Sequence, residues 1–413
     1  MPRRKKIKVL DLFAGAGGFS EGFINAGCDM VAHIEMDKDA CETIRTRMVY
    51  HALKNQNKLV EYKKYMLDKI ERDALVKEHN LQNEIDSVIC EKIAKNSYKE
   101  LFKSIHKRLG GKSLDIIIGG PPCQAFSVIG RSRDKNTMKW DRRNTLYKYY
   151  IEFLKEFKPK IFVFENVPGL LSAAKSRHFN TMKRMMIEEG YEVDHRILNA
   201  AEYGVPQRRR RVILIGWNKK SKLEKYPDFK KIEKNYLVKD FLWTLPKLNA
   251  GQNIQAREYE EESEVLVNLG IFNPAVNVLE AHESRPNSER DLEIYKTAVL
   301  TLKKGENLRY NELPEKLKTH KNQISFLDRF KVVDYESPAS QTVVAHISKD
   351  GHYYIHPDIK QNRSLSIREA ARLQTFPDDF KFEGSRTAQF KQIGNAVPPM
   401  FSRIITRTLL KYI

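Results

Sequence analysis

The sequence contains little cysteine. Its 413 residues include four cysteines that stand far apart and form no CxxC pair: Cys28, Cys41, Cys90 and Cys123. A structural zinc site and a disulfide framework both need closely spaced or paired cysteines, so neither is indicated.

Long apolar runs, repeats and low-complexity segments are also lacking, and the basic first residues lead into a strand-like run without the apolar core of a signal peptide. We therefore expect a cytoplasmic protein with no membrane span.

Acidic residues are outnumbered by basic ones. The chain carries 53 Asp and Glu against 73 Lys and Arg, a formal net charge of +20. A basic surface attracts phosphates and speeds encounter with polyanions. The composition therefore predicts a nucleic acid partner, and the length is sufficient for two lobes.

Short β-rich runs alternate with helical segments from residue 7 to residue 216. Strands are predicted at 7–12, 30–35, 114–118, 161–165 and 212–215, and helices at 19–26, 37–48, 145–157 and 179–189. Alternation of this kind is typical of a doubly wound parallel sheet, so the fold class is expected to be α/β.

Two stretches interrupt the alternation. About 49–112 is rich in Lys and Glu with apolar residues at helical spacing, which predicts a helical insertion packed on the sheet, with lysines available to phosphates. Prolines at irregular spacing after residue 216 predict a smaller loop- and β-rich domain. We therefore expect a catalytic domain over 1–216 that contains the insertion, a second domain over 217–390, and a C-terminal segment, 391–413, that returns to the first.

Cys123 lies on a loop that begins where an apolar run ends. The run at 115–118 reads as a buried strand, and Gly-Gly-Pro-Pro-Cys-Gln follows it at 119–124. Two prolines stiffen this loop, and open α/β sheets place their chemistry at the carboxyl ends of strands. Cys123 is therefore a candidate nucleophile, although most free cysteines are small buried hydrophobes.

Three further groups of residues carry possible chemistry. Glycines at 15, 17 and 18 form a turn between the first strand and helix, where a ligand can approach the backbone, and Glu35 ends the second strand, where an acid can bind ribose hydroxyls. Glu165 ends a later strand and is a candidate proton donor or a helix cap. In the run Gln207 to Arg211, alternate residues face one side, and inward arginines there require anions or carbonyl oxygens.

These motifs occur together in an order that covers nearly the whole chain. They lie at 11–19, 35, 121–124, 165–167, 207–211, 368–374 and 392–399. In this respect the chain resembles the DNA (cytosine-5) methyltransferase family of bacterial restriction-modification systems. The resemblance implies a Rossmann-like S-adenosylmethionine-dependent methyltransferase sheet, with a target-recognition domain at 217–390.

The resemblance also implies catalytic roles. Cys123 is the nucleophile that adds to C6 of a cytosine flipped out of the duplex, because C5 alone is too poor a nucleophile to take a methyl group. Glu165 meets N3 and the exocyclic amine, Arg211 meets O2, and Arg209 lies alongside.

The implied cofactor is S-adenosylmethionine. The positions that match its pocket in the family are Phe13, Ala14, Gly15, Gly17, Gly18, Glu35, Met36, Pro122, Leu146, Asn395 and Ala396. Met36 stands where the family often has tryptophan. The acidic residue that reads the adenine amine falls within the insertion, where Asp86 is the candidate.

Double-stranded DNA is the implied partner. The segment 127–143 matches the loop that closes over DNA in the family, and the predicted DNA-binding residues are Gln124, Ser127, Arg131, Arg133 and Gln207. No metal is expected, because the family chemistry uses none. We expect a monomeric, nucleoid-associated bacterial protein with a possible companion endonuclease on the same site; the recognised sequence cannot be read from the chain.

Three alternative functions agree less well with these residues. A tRNA methyltransferase of the same fold is disfavoured, because the chain has no cysteine after Cys123 and carries a long second domain. A catalytically inactive DNA-binding protein is disfavoured by the intact Cys123, Glu165 and Arg211. A nicotinamide dehydrogenase leaves the Pro-Pro-Cys loop and the basic charge unexplained.

Overall fold

A seven-stranded sheet lies at the centre of the structure, a computed structural model that describes residues 6–121, 146–172, 176–319 and 327–413. Its strands are β1 Lys8–Leu12, β2 Asp29–Glu35, β3 Val88–Cys90, β4 Ile116–Gly119, β5 Ile161–Asn166, β6 Glu192–Asn199 and β7 Arg210–Trp217. The strand order is β3-β2-β1-β4-β5-β7-β6. The first five are parallel neighbours, and β7 runs antiparallel to both β5 and β6.

Helices cover both faces of this sheet. They are α1 Gly18–Asn25, α2 Lys38–Asn55, α3 Leu59–Met66, α4 Arg72–Glu78, α5 Gln82–Ile85, α6 Tyr98–Leu109, α7 Leu146–Phe157, α8 Gly169–Ser172 and α9 Arg177–Glu188. Every residue of β1, β4 and β5 is buried, as is typical of parallel strands covered on both faces. No helix within the described ranges is long and apolar enough to cross a membrane.

All five predicted strands are present, and the sequence patterns missed two others. β3 has only three residues, which is too short for a periodic signal. β6 lies at the sheet edge, where Glu192 and Arg196 are exposed beside the apolar Ile197, and exposed charges are a usual protection of edge strands. The strand predicted at 212–215 is not parallel as expected, because it forms part of the antiparallel β7.

The insertion predicted at 49–112 is only partly a helical excursion. α2 continues to Asn55, and the later part of the insertion supplies β3 and α6, which belong to the sheet and its cover. The segment outside that framework is 59–85, which holds α3, α4 and α5 and is called the excursion below.

Residues 217–390 form a loop-rich part with little strand. Its helices are α10 Lys239–Leu242, α11 Glu264–Leu269, α12 Glu289–Leu302, α13 Ile367–Leu373 and the start of α14 Arg386–Asn395. Its named strands, within the described ranges, are four of two residues each: β8 Asn253–Ile254, β9 Arg257–Glu258, β10 Val278–Leu279 and β11 His282–Glu283. The expected loops are present, and strands contribute less than expected.

The C-terminal segment packs on the first helix of the sheet. α15 Pro399–Leu409 approaches α1 so closely that a Cβ on Gly22 would lie 2.3 Å from Ser402 Oγ. Ser402 Oγ also donates a hydrogen bond to the carbonyl of Phe19. The end of the chain therefore lies beside the glycine turn at its beginning.

Candidate active site

The candidate active site lies where β1, β2, β4 and β5 end. Parallel strands bring their carboxyl ends to one edge, which places Phe13, Glu35, Gly120 and Glu165 together there. Because β7 is antiparallel, its first residues reach the same edge, and Val212 pairs with Asn166.

The glycine turn has two kinds of glycine. Gly15 has a φ of 56°, and a Cβ there would meet none of the described residues within 4 Å, so the backbone faces open space among them. A Cβ on Gly18 would instead lie 2.4 Å from the carbonyl oxygen of Val397. Gly18 therefore makes room for the C-terminal segment, whereas Gly15 can border a ligand. Gly17, with a φ of 80°, precedes α1 as its N-cap.

Glu35 is held in place by backbone donors. Oε2 accepts from the amide of Gly15 at 2.8 Å, and Oε1 accepts from the amides of Met36 at 2.7 Å and Asp37 at 2.9 Å. A carboxylate offers about four acceptor positions. Oε2 thus keeps capacity for a further donor, such as a ribose hydroxyl, and the residues present fit a nucleoside-containing cofactor.

The other predicted cofactor residues have varied environments. Met36 is 60% exposed, so an apolar side chain lies open at the rim, and Asn395 is also exposed. Ala14 and Ala396 are buried, and Leu146 is half-buried at the start of α7. Pro122 lies outside the described residues.

Asp86 is not placed to read the adenine amine. It precedes β3 and therefore lies toward the opposite edge of the sheet, where it accepts from the Gln82 side chain at 2.8 Å. The acid at the correct edge is Glu91, which directly follows Cys90, the residue paired with Glu35. The amide of Glu91 donates to the Glu35 carbonyl at 2.8 Å. Sequence patterns missed Glu91 because the strand that places it is so short.

Glu165 and Arg211 form an ion pair beside the start of the cysteine loop. Arg211 Nε lies 2.7 Å from Glu165 Oε1, and each side chain is 12% exposed. A Cβ on Gly120 would lie 2.8 Å from Glu165 Oε2, so the glycine allows the carboxylate to approach the loop. Glu165 is therefore nearly buried and has a cation as its direct neighbour.

Asn166 anchors the same loop. Its Nδ2 donates to the carbonyl of Pro121 at 3.2 Å, and the side chain is 3% exposed. The Glu-Asn-Val motif that contains Asn166 does not by itself indicate this role. The structure shows that β5 supplies both an acid for the site and a support for the loop.

Gln207 and Arg209, predicted for DNA binding and catalysis, are both buried and hydrogen-bond to carbonyls of the chain itself. Gln207 is fully buried and donates to the Leu373 carbonyl at 2.8 Å. Arg209 is 1% exposed and donates to the carbonyls of Val343 at 2.8 Å, Ala396 at 2.8 Å and Gly394 at 3.3 Å. The carbonyl partners that inward arginines require are therefore present, but they belong to the chain itself.

A buried polar chain lies beneath the glycine turn. Ser20 Oγ donates to Asp11 and lies 3.0 Å from His33 Nδ1, and all three side chains are buried. Burial raises the pKa of Asp11 to about 7, with the Ser20 hydrogen bond opposing the rise and Glu35 adding to it. Burial also lowers the pKa of His33 to about 3, so His33 is neutral at pH 7.

The remaining predicted residues lie outside the described part of the chain: Cys123, Gln124, Ser127, Arg131 and Arg133. In the part that is described, no group of three or more His, Cys, Asp or Glu residues could hold a metal ion.

Comparisons with known proteins agree with this geometry. A family model for the C-5 cytosine-specific DNA methylase matches residues 7–77 and 67–411. Type II methyltransferase M.Bpa9945I of Bacillus paralicheniformis is 42% identical over 438 aligned residues, which cover 97% of this chain and 98% of that protein. Type II methyltransferase M1.HphI of Haemophilus parahaemolyticus is 31% identical and covers 98% of this chain and 87% of its own length.

A solved structure is similar over the same extent. A protein described as a DNA modification methyltransferase encoded within a prophage (E. coli) gives a TM-score of 0.64 at 25% identity, covering 98% of this chain and 99% of that one. The family match decides against the dehydrogenase, and the Type II methyltransferase relatives favour DNA over tRNA as the substrate. The chain belongs to the family of C-5 cytosine-specific DNA methylases, and the protein is an S-adenosylmethionine-dependent enzyme that methylates cytosine in DNA at C5.

Proposed function

We propose that this enzyme methylates one cytosine within a specific duplex sequence through a covalent bond between Cys123 and the flipped base. The observation that carries the proposal is the Glu165–Arg211 ion pair, 2.7 Å long, beside Gly120 at the base of the cysteine loop. An acid and a cation next to the nucleophile's loop match the polar edge of cytosine, with its N3, exocyclic amine and O2.

The proposed reaction begins with addition of the Cys123 thiolate to C6. The new C–S bond pushes an electron pair into the ring, Glu165 provides a proton at N3, and Arg211 binds O2. S-adenosylmethionine would supply an electrophilic methyl group to C5 and would leave as S-adenosylhomocysteine. A base then removes the C5 proton, and the electron pair of that C–H bond re-forms the C5–C6 double bond and expels the Cys123 thiolate. The N3 proton returns to Glu165.

The proposed cofactor site is the edge between β1, β2 and β3. Glu35 binds the ribose hydroxyls, Phe13 and Met36 border the adenine, and Glu91 accepts from its amine in place of Asp86. Support comes from the open space at Gly15, the remaining acceptor position of Glu35 and the register that sets Cys90 beside Glu35.

We further propose that residues 217–390 read the DNA sequence and that residues 1–216 and 391–413 carry the chemistry. The relatives named Type II methyltransferases support a role in protecting host DNA within a bacterial restriction-modification system. We also propose that the enzyme is monomeric and that it resides in the cytoplasm in association with the nucleoid. A companion endonuclease is proposed to act on the same DNA site.

A trapping experiment tests the mechanism. Bisulfite sequencing of DNA from cells that express the enzyme identifies the methylated site, and duplexes with 5-fluorocytosine at that cytosine are then incubated with enzyme and S-adenosylmethionine. Fluorine cannot leave as a proton does, so the wild type should form a denaturation-resistant adduct, and Cys123→Ser should form none while still binding DNA. Methyl transfer by Cys123→Ser at near wild-type rate would refute the mechanism.

A further inference from the structure

The excursion, residues 59–85, contains two buried tyrosines although it lies outside the sheet. Tyr62 is fully buried and Tyr65 is 8% exposed. The Tyr62 ring packs edge-on against Tyr50 of α2, with centroids 5.0 Å apart. An insertion that only added positive charge would not need buried aromatic rings, so the groups they contact indicate its role.

Both tyrosine hydroxyls bind residues of the proposed recognition segment, 217–390. Tyr62 Oη donates to the Asp379 carbonyl at 3.1 Å, and Tyr65 Oη donates to Glu383 Oε1 at 2.6 Å. Lys381, between those two partners, places its ammonium group 4.5 Å from the Tyr65 ring centroid. Two residues one helical turn apart on α3 thus hold residues 379–383 of the recognition segment.

A second part of the recognition segment also packs on the excursion. Val276 and Val278, each 1% exposed, join the apolar cluster formed by α2, α3 and α4. Lys63 Nζ lies 2.9 Å from Glu258 Oε2, and Glu258 pairs with Val278 between β9 and β10. The excursion therefore contacts the recognition segment at two places that are about a hundred residues apart in sequence.

Arg47 links the same region to the helix that follows the glycine turn. It donates to both carboxylate oxygens of Glu21 in α1 and, through Nη1, to Asp379 Oδ1 at 2.8 Å. Asn273 donates to the other Asp379 oxygen at 2.8 Å. Burial alone would raise the pKa of Glu21, but Arg47 and His51 outweigh it and hold that pKa well below its usual value. The contact is thus a charged, buried junction.

We infer that the excursion is a brace that fixes the recognition segment against the catalytic sheet, with Tyr62 and Tyr65 as positioning residues for DNA binding. This inference rests on the proposed role of residues 217–390 in recognition. It adds a structural role to the expectation that lysines of the insertion are available to phosphates. Point substitutions are the suitable test, because deletion of a long part of the insertion would remove β3 from the sheet.

The double variant Tyr62→Phe/Tyr65→Phe tests the brace without exposing cavities or leaving polar groups unpaired. The Asp379 carbonyl keeps Arg47 Nη1 at 3.2 Å, and Glu383 Oε1 keeps Thr46 Oγ1 at 2.6 Å. Removing the two hydroxyls should raise the KM for specific DNA about three- to tenfold, as expected for the loss of one or two hydrogen bonds. The kcat at saturating DNA and the KM for S-adenosylmethionine should stay within about twofold of the wild-type values. Amide exchange at 378–383 should become faster.

Tyr191→Phe is the matched control. Tyr191 is equally buried, and its hydroxyl donates to the Pro159 carbonyl at 2.9 Å, but both residues belong to the catalytic part. This control should leave the KM for DNA unchanged. An unchanged KM for DNA in the double variant, or a rise equal to that of Tyr191→Phe, would overturn the inference.

Two charge reversals separate bracing from phosphate binding. Lys63→Glu and Lys64→Glu change the net charge equally, but Lys64 pairs with Glu61 inside the excursion at 2.9 Å. Only Lys63→Glu should raise the KM for DNA, by about two- to fivefold for an exposed pair, and Glu258→Lys in the same chain should restore it. Equal losses from both reversals, without rescue, would identify phosphate contacts and refute the brace. Wild-type methylation in the same assay tests the proposed function separately.

Discussion

Arg209 and Arg211 are two positions apart in the sequence, yet replacing each with methionine should affect a different property of the enzyme. Arg209→Met removes the buried donors to Val343, Ala396 and Gly394, which join three distant parts of the chain. Arg211→Met removes a partly buried cation that contacts Glu165 at the site. We expect the first change to lower stability and the second to lower turnover.

The magnitudes follow from the geometry. Two of the Arg209 bonds are 2.8 Å long and the third is 3.3 Å. With about 1.5–3 kcal/mol for each good hydrogen bond to a charged group, Arg209→Met should cost about 3–6 kcal/mol. An unfolding entropy of about 2.1 cal/mol/K per residue gives roughly 0.9 kcal/mol/K for this chain, so Tm should fall by about 3–7 °C. Arg211→Met should cost about 1 kcal/mol and shift Tm by about 1 °C.

Calorimetry and single-turnover methylation on the same preparations test both expectations. Well below its unfolding temperature, Arg209→Met should still transfer methyl groups, whereas Arg211→Met should be at least about 10²-fold slower, as for loss of one preorganised donor at a reacting group. If Arg209→Met kept the wild-type Tm and lost turnover as Arg211→Met does, the structural role of Arg209 would be wrong.

Three further outcomes are expected. Glu165→Gln should keep the shape of the site and lower turnover by about 10²- to 10⁴-fold with little change in cofactor affinity, and loss of S-adenosylmethionine binding in calorimetric titrations would contradict this. The stability of Asp11→Asn relative to the wild type should increase as pH rises from about 4 to 7. The reason is that folded wild type keeps the Asp11 proton up to a pKa of about 7, whereas the unfolded chain releases it near 3.8, so the wild type loses stability over this range. The difference should reach at most about 4 kcal/mol above pH 7, and denaturant titrations that show no pH-dependent difference would exclude it. Exchange of residues 217–360 with a relative's segment should transfer the methylated sequence, and bisulfite mapping that finds the original site in an active chimera would refute that assignment.

The parts of the fold that could be predicted are those that local pattern determines. The apolar runs of β1, β4 and β5 are buried on both faces, and each gives a clear strand signal. α13 has a local start signal of this kind, because Ser366 and Glu369 form a capping box at its start. β3 could not be recognised because it pairs with β2 over only three residues, which is too short for a periodic pattern. β6 could not be recognised because it is an edge strand with charged residues in its sequence, so it shows no apolar run.

Residues of the candidate site divide in the same way. Glu35 and Glu165 end strands, and a strand end fixes a side chain at a known edge of the sheet. Glu91 has the same kind of position, but it could not be assigned before β3 was known. The sequence alone could not show where Asp86 lies. The edge of the sheet at which an acid of a long insertion lies is known only after the register between β2 and β3 is established.

Arg209 and Gly18 show why motif residues alone do not identify ligand contacts. Alternation along 207–211 correctly gives Gln207 and Arg209 a common inward side, but their partners lie 134 to 187 positions away in sequence. The sequence cannot distinguish a glycine that admits a cofactor from one that admits the chain's own carbonyl. The space around each Cβ does distinguish them, open at Gly15 and closed by Val397 at Gly18. In this enzyme the motifs therefore build two things at once: a pocket edge for ligands, and the junction that returns the C-terminal segment to the glycine turn.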